Sequence, residues 1–167
     1  MEKLSEYRKN IKSGDLIAYK SRYRKGWTSW LGFMVSLFSM SRYSHVGIAL
    51  WLGERLFLVS ADIPEVKLEL ITRTNPFHHI SLGMEWSDHH TEELLKHLGE
   101  PYSIIEAIRG YMGSNDETNN KWFCTEFARV FYQKFGYEFG DDLTPQGIVD
   151  DMLVHGAKTI TYVDSKS

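Results

Sequence analysis

Tyr43-Ser44-His45-Val46-Gly47-Ile48-Ala49-Leu50-Trp51-Leu52 is the stretch that decides the fold of this 167-residue chain. The nearly continuous apolar run from His45 onwards is typical of a β-strand that is covered on both faces. Gly53-Glu54 can turn the chain back into Arg55–Ala61, which is again mostly apolar. The sequence therefore predicts a hairpin with at least one strand buried inside the protein.

Other strands and helices are predicted on both sides of this hairpin. The predicted strands are Asp15–Tyr19, Val66–Ile71, Phe77–Leu82 and Ala157–Val163. The predicted helices are Met1–Ile11, Trp27–Met40, Asp88–Leu98, Ile104–Tyr111, Phe123–Phe135 and one that opens at Thr144-Pro145. Strands early and helices late favour an α+β fold. Because no repeat or linker interrupts the pattern, we expect residues 1–167 to form a single domain.

Composition narrows the class of protein. Apolar residues make up 43% of the chain and aromatic residues 14%, enough for a hydrophobic core without disulfides. A net charge of −3 gives no global attraction to nucleic acid, so we expect no nucleic-acid partner. A single cysteine cannot form an internal disulfide, and the charged start Met1–Arg8 lacks an apolar signal core. We therefore expect a protein of the reducing cytoplasm.

The longest apolar segment is Trp27–Met40, which also contains Gly32 and several serines. It is shorter than the roughly 20 residues that a membrane-spanning helix needs. As a helix it would be apolar nearly all round, which is typical of a buried segment. We expect it to form core or the wall of a substrate groove, with transient contact at a membrane surface as the alternative.

The sequence offers a nucleophile and a base. Cys124 stands where the helix Phe123–Phe135 begins, and the helix dipole with its unpaired N–H groups favours a thiolate there. His45 heads the apolar strand far upstream, and an imidazole close to the thiol could take its proton and return it to a leaving group. These two residues are the candidate catalytic pair.

A cysteine–histidine site usually needs a third polar group that orients the imidazole. If Gly53-Glu54 is a two-residue turn, His45 lies opposite Asp62, and Ser60 lies diagonally on the same face. Asp62 is chemically the stronger candidate because a carboxylate stabilises the imidazolium. Ser60 offers a neutral hydrogen bond. A slip of one residue would turn this set to the other face, so both candidates are kept.

The remaining histidines do not form a metal motif. His78-His79 and His89-His90 are adjacent pairs, and neighbours in a strand point to opposite faces. No His-x-x-x-His or paired-cysteine spacing is present. We interpret His89, His90 and His97 as solvated residues, and expect neither a metal ion nor an organic cofactor.

Three motifs in this order resemble a known family. The motifs are Gly14-Asp15-Leu16-Ile17, Tyr43-Ser44-His45-Val46-Gly47-Ile48 and Phe123-Cys124-Thr125-Glu126-Phe127. Together with Gly99-Glu100-Pro101-Tyr102 and Leu143-Thr144-Pro145, the pattern resembles the circularly permuted branch of the NlpC-like, papain-like cysteine hydrolases. That branch includes YaeF/YiiX-like proteins and the related lecithin retinol acyltransferase-like proteins, and it places the histidine before the cysteine.

The resemblance implies a permuted papain-like fold in which the Cys124 helix packs against the sheet that carries His45. It implies Cys124 as nucleophile, His45 as general base, and hydrolysis of an amide, peptide or (thio)ester bond. Relatives suggest a cell-wall peptide or a lipid acyl group as substrate. The family usually has His, Glu, Gln or Asn where this chain has Ser60. That departure leaves a catalytically inactive binding or structural module as the alternative.

Overall fold

The computed structural model of the protein describes residues 2–3, 7–20, 42–71, 76–103, 122–157 and 160–164. Within these ranges the chain forms seven β-strands, one 3-10 helix and three α-helices. The strands are β1 (Glu2–Lys3), β2 (Leu16–Lys20), β3 (Tyr43–Leu52), β4 (Arg55–Ala61), β5 (Val66–Leu70), β6 (Phe77–Ile80) and β7 (Ile160–Asp164). The helices are the 3-10 helix Arg8–Asn10, α1 (Asp88–Leu95), α2 (Cys124–Lys134) and α3 (Pro145–Val154).

All seven strands belong to one sheet, in the order β1-β7-β6-β2-β3-β4-β5. Neighbouring strands run antiparallel, except that β1 is parallel to β7. Helices α2 and α3 follow the main strands in sequence and pack against β3. The α+β class predicted from the order of strands and helices is therefore confirmed.

The central hairpin has the predicted register. Leu52 pairs with Arg55 and Ile48 pairs with Val59, as a two-residue turn at Gly53-Glu54 requires. On its other side β3 pairs with β2, where Tyr19 faces His45 and Lys20 faces Tyr43. Ser44 is thus the extra residue of a β-bulge at the beginning of β3.

The two faces of the sheet carry separate hydrophobic clusters, because side chains alternate along each strand. The helix-face cluster joins strand residues to α2 and α3, and includes Leu16, Ala18, Val46, Ile48, Val59, Ala61, Phe127, Phe131 and Ile148. The opposite-face cluster consists of Tyr7, Ile11, Ile17, Ala49, Leu56, Leu58, Ile71, Phe77 and Val163. Strand β3 contributes to both clusters, which explains its continuous apolar sequence.

Helices α2 and α3 follow from local sequence. In α2, the residues Cys124, Phe127, Ala128 and Phe131 recur at helical spacing and are buried on one stripe. Helix α3 begins with Pro145 after Thr144, whose Oγ1 accepts a hydrogen bond from the Gly147 N–H at 3.0 Å. The Thr144 cap fixes where α3 starts.

Two predicted helices need correction. The predicted helix Met1–Ile11 is wrong at its start, where Glu2–Lys3 form β1 and pair with Val163 and Asp164; among the described residues of this segment, Tyr7 is helical and Arg8–Asn10 form a 3-10 helix. Pairing with the otherwise open edge of β7 outweighs the weak helix propensity of a short segment. The helix predicted for Asp88–Leu98 ends at Leu95.

Two predicted helices lie outside the described residues: Trp27–Met40 and Ile104–Tyr111. Among the helices that the structure does describe, none combines the length and the apolarity that crossing a bilayer requires.

Candidate active site

Cys124 is the first residue of α2, as predicted. Phe123 precedes it in an extended conformation, with φ of −119° and ψ of 163°, and Cys124 itself is buried. The N–H groups of a first helical turn have no acceptor within the helix, so they form a region of positive partial charge around this thiol. Its Sγ lies 3.8 Å from the Thr125 Oγ1, a weak hydrogen-bond contact.

His45 is buried in β3 and is oriented by Ser60. Its Nε2 lies 3.0 Å from the Ser60 Oγ, and its ring centroid lies 6.3 Å from that of Tyr19. When Nε2 carries the proton and the Ser60 hydroxyl accepts it, Nδ1 is the basic nitrogen of the ring. The structure thus brings together two of the four predicted site residues directly.

Asp62 contacts a lysine and a backbone N–H. Its Oδ2 lies 3.1 Å from the Lys67 Nζ, and its Oδ1 accepts a hydrogen bond from the Ile63 N–H at 2.9 Å. The register places Asp62 beside His45, but the hydrogen bond described for the imidazole is the one to Ser60.

Gly47 leaves the space through which Ser60 comes within reach of His45. It lies two residues after His45 on the same strand face, and a Cβ added to it would come within 2.8 Å of the Ser60 Cβ. Because glycine leaves this space empty, the His45 ring can reach its diagonal neighbour. The glycine in the His-Val-Gly motif was the signal for this arrangement in the sequence.

The alternation of β3 puts His45 and α2 on different sides of the sheet. His45 and Gly47 point to the face of Tyr19 and Leu58, which belongs to the opposite-face cluster. Helix α2 packs on the other face. The Cys124 thiol and the His45 ring would therefore meet around the end of β3, where Ser44 bulges, rather than across the centre of a face.

Contacts of the second half of α2 locate that helix along β3. The Tyr132 Oη donates to the Gly14 carbonyl at 2.9 Å, and the Gly14 N–H donates to the Ala49 carbonyl at 2.9 Å. Cys124 lies eight residues earlier, about 12 Å along the helix axis. That distance is comparable to three and a half residues of a strand, about the separation of Ala49 from His45 along β3.

Contacts of the residues that precede α2 also indicate where the helix starts. Trp122 forms a parallel bridge with Tyr102, and the Tyr102 N–H donates to the Pro64 carbonyl at 2.8 Å. Pro64 follows the end of β4, which lies beside the beginning of β3. Cys124 and His45 therefore lie at the same end of the central hairpin, and a direct contact between them stays a prediction.

A second histidine lies beside the start of α2, and sequence reasoning missed it. The His97 Nδ1 is 2.8 Å from the Glu100 Oε2, which also accepts a hydrogen bond from the Trp122 indole. The His97 ring contacts Trp122 and Phe127 at centroid distances of 5.3 and 6.0 Å. This histidine was expected to be solvated; its spacing of three residues from Glu100 was the available signal.

The described residues contain no group of three or more His, Cys, Asp or Glu side chains arranged to hold a metal ion. The adjacent histidines of β6 point apart, as expected for a strand. His78 contacts Tyr43, and His79 contacts Asp15 and Tyr7.

Comparison with known proteins gives a likeness of fold. No family model matches the sequence, and no curated protein matches it. The structure is similar to the crystal structure of the metalloprotein YiiX from Escherichia coli O157:H7, with a TM-score of 0.53 and 17% sequence identity. The alignment covers 74% of this chain and 65% of YiiX, less than two thirds of that protein.

This likeness supports the predicted relation to YiiX-like proteins at the level of the fold. The description as a metalloprotein applies to YiiX.

Proposed function

We propose that the protein is a cysteine-dependent hydrolase or acyltransferase that acts on an amide, peptide or (thio)ester bond. Cys124 is the nucleophile, His45 is the general base and acid, and Ser60 orients the imidazole. The observation that carries this proposal is the 3.0 Å contact of His45 with Ser60 at the end of the hairpin where α2 begins with Cys124. A YiiX-like fold agrees with it.

The chemistry needs two proton transfers by one imidazole. The Cys124 thiol gives its proton to Nδ1 of His45, and the thiolate attacks the carbonyl carbon of the substrate. Electrons move onto the carbonyl oxygen, and the N–H of Cys124 at the helix start donates to that oxyanion. When the tetrahedral intermediate collapses, His45 returns the proton to the departing amine, alcohol or thiol.

The first half of the reaction leaves an acyl-enzyme, in which the acyl group is bound to the Cys124 sulfur. Water then attacks the thioester carbonyl while His45 takes a proton from it, and Cys124 leaves as the thiol. If an alcohol or amine attacks in place of water, the same site transfers the acyl group. Ser60 holds the ring in the tautomer that both steps require.

Alkylation of native Cys124 by iodoacetamide from pH 4 to 9 tests the pair. We expect rapid labelling with a midpoint well below about 8.5, the value of a free cysteine, and loss of that reactivity in His45→Ala. His89→Ala is the matched control, since His89 is an exposed residue of α1. Slow labelling with an ordinary midpoint in both the native protein and His45→Ala would contradict the proposal.

A binding or structural module is the second candidate function, because Ser60 supplies a weaker orienting group than a carboxylate or a second imidazole. This reading predicts an ordinary or raised pKa for the Cys124 thiol and tolerance of Cys124→Ser. Activity profiling against peptide amides and against acyl thioesters separates the two classes of substrate. Turnover of either one would exclude the module.

A further inference from the structure

Four side chains form a closed set of contacts where the chain enters α2. The Glu100 Oε2 accepts hydrogen bonds from two donors, the His97 Nδ1 at 2.8 Å and the Trp122 indole N–H. The His97 ring packs edge-on against Trp122 and Phe127, at centroid distances of 5.3 and 6.0 Å. The rings of Trp122 and Phe127 are themselves 6.1 Å apart. We call His97, Glu100, Trp122 and Phe127 the His97 cluster.

The His97 cluster contacts the chain on both sides of Cys124. Trp122 precedes Cys124 by two residues and Phe127 follows it by three, and residues three apart in a helix lie on one face. The Phe127 N–H donates to the Phe123 carbonyl at 2.9 Å, a hydrogen bond of the first turn of α2. The cluster therefore packs against the helical turn that carries the candidate nucleophile.

Backbone hydrogen bonds attach the cluster to the edge of the sheet. The Gly99 N–H donates to the Val66 carbonyl at 2.9 Å, and the Val66 N–H donates to the Glu100 carbonyl at 2.8 Å. The Trp122 N–H donates to the Pro101 carbonyl at 2.9 Å. Since Val66 is the first residue of β5, one continuous set of contacts joins this strand, the Glu100 carboxylate and the entrance of α2.

Hydrogen bonds give this attachment a direction that apolar packing alone lacks. A hydrogen bond weakens steeply when its angle departs from linear, so two donors on one carboxylate oxygen restrict the rotation of both rings. Bonds to a charged acceptor are also stronger than bonds between neutral groups. The His97 cluster thus orients the entrance of α2 relative to the sheet, and the same sheet carries His45.

We propose that His97 and Glu100 are positioning residues for Cys124: they fix the direction in which the first turn of α2 presents its thiol and its N–H groups to His45 and to the substrate. The proposal rests on the proposed function of Cys124. Neither positioning residue transfers a proton. A misplacement of about 1 Å at a reacting group can reduce a rate about a hundredfold, so a rigid entrance to α2 matters for the chemistry.

A double-mutant cycle separates positioning from a merely structural role. His97→Phe keeps an aromatic ring in the cluster but removes the donor to the Glu100 carboxylate. We expect it to lower the rate of Cys124 alkylation by iodoacetamide at pH 6 about five- to twentyfold. In a His45→Ala background the same substitution should change the rate less than about twofold, because no imidazole is left to be aligned with the thiol. Equal decreases in the two backgrounds would overturn the proposal.

His90→Phe is the matched control for this cycle. His90 stacks on Phe135 at the other end of α2, at a centroid distance of 4.0 Å, and its Nδ1 lies 2.6 Å from the Ser87 hydroxyl. Its variant should leave the alkylation rate unchanged. A rate as low as that of His97→Phe would overturn the proposal, because any ring that packs on α2 would then have the same effect.

Two milder variants test the role of the carboxylate without replacing His97. Trp122→Phe removes the indole N–H and keeps a ring, so it should lower the rate and show the same dependence on His45. Glu100→Gln keeps one acceptor oxygen and should recover most of the rate that Glu100→Ala loses. Failure of Glu100→Gln to exceed Glu100→Ala, together with a native rate in Trp122→Phe, would overturn the proposal.

Hydrogen exchange gives a measurement that does not need a reactive thiol. In the Cys124→Ser protein, His97→Phe should accelerate exchange of the Phe127 N–H about tenfold and leave the amides of the second half of α2 protected. An unchanged Phe127 N–H would overturn the proposal. A native Cys124 that is slow to react would contradict the proposed function and this role together. A reactive Cys124 that depends on His45 but not on His97 would overturn this role alone.

Discussion

The His79 Nε2 lies 2.8 Å from the Asp15 Oδ2, and each side chain is only 2% exposed. Asp15 also accepts hydrogen bonds from the Lys12 N–H at 2.7 Å and the Ser81 hydroxyl at 3.1 Å. The other ring nitrogen of His79 contacts the Tyr7 hydroxyl at 2.8 Å. This buried network links strand β6 to the segment that precedes β2.

Asp15→Asn should destabilise the protein strongly. The amide carries no charge and has one acceptor oxygen in place of two, so the hydrogen bonds to His79 and to the Lys12 N–H lose the strength that a carboxylate gives them. We expect the free energy of unfolding to fall by about 2–4 kcal/mol in urea denaturation. Asp141→Asn removes an exposed carboxylate and should change it by less than about 0.5 kcal/mol. Equal losses in the two variants would contradict a special role for this network.

The central hairpin could be predicted because its signals are local. Gly53-Glu54 allows a two-residue turn, and from that turn the pairing of Leu52 with Arg55 follows by counting. The start of α2 at Cys124 was equally accessible, since the apolar stripe and the residues around it are contiguous in sequence. These are the parts of the fold that place the candidate site.

Contacts between residues far apart in the chain explain the features that the sequence alone did not predict. Glu2–Lys3 became a strand because β7, far along the chain, offers an edge. The contact of His45 with Ser60 depends on the space that Gly47 leaves, and Asp62 forms an ion pair with Lys67. The ranking of Asp62 above Ser60 used chemical strength alone, because the sequence did not show either neighbour.

Gly47→Ala should disturb the site through packing alone. The new Cβ would lie 2.7 Å from the Leu58 Cδ1 and 2.8 Å from the Ser60 Cβ, so one of these side chains must move. We expect a loss of about 1–3 kcal/mol in unfolding free energy, and slower alkylation of Cys124 because Ser60 no longer holds His45. Gly53→Ala is a useful comparison, since no atom lies within 4 Å of its added Cβ but its φ of 58° adds strain. Gly53→Ala should destabilise the hairpin without altering the alkylation rate of Cys124 in the folded protein.

His78 should make stability depend on pH. Its pKa is about 4 in the folded protein, mainly through burial, against about 6.5 in an unfolded chain. Between these values the unfolded chain binds a proton that the folded protein does not, so the free energy of unfolding decreases as the pH falls from 6.5 towards 4. His78→Gln has no imidazole to bind this proton. Its free energy of unfolding, measured in urea titrations, should therefore decrease less between pH 7 and pH 5 than that of the native protein. A parallel loss in both proteins would contradict the lowered pKa.

The proposed role of Ser60 as the residue that orients His45 gives the last prediction. Ser60→Ala removes the hydroxyl that lies 3.0 Å from the His45 Nε2, so the ring should lose its fixed tautomer and orientation. We expect the alkylation rate of Cys124 at pH 6 to fall about tenfold, with a smaller change in the free energy of unfolding. Asp62→Asn should act in the opposite way: the ion pair with Lys67 is lost and stability decreases, while the pH profile of alkylation keeps its midpoint. A shifted midpoint in Asp62→Asn, together with an unchanged profile in Ser60→Ala, would transfer the orienting role to the carboxylate.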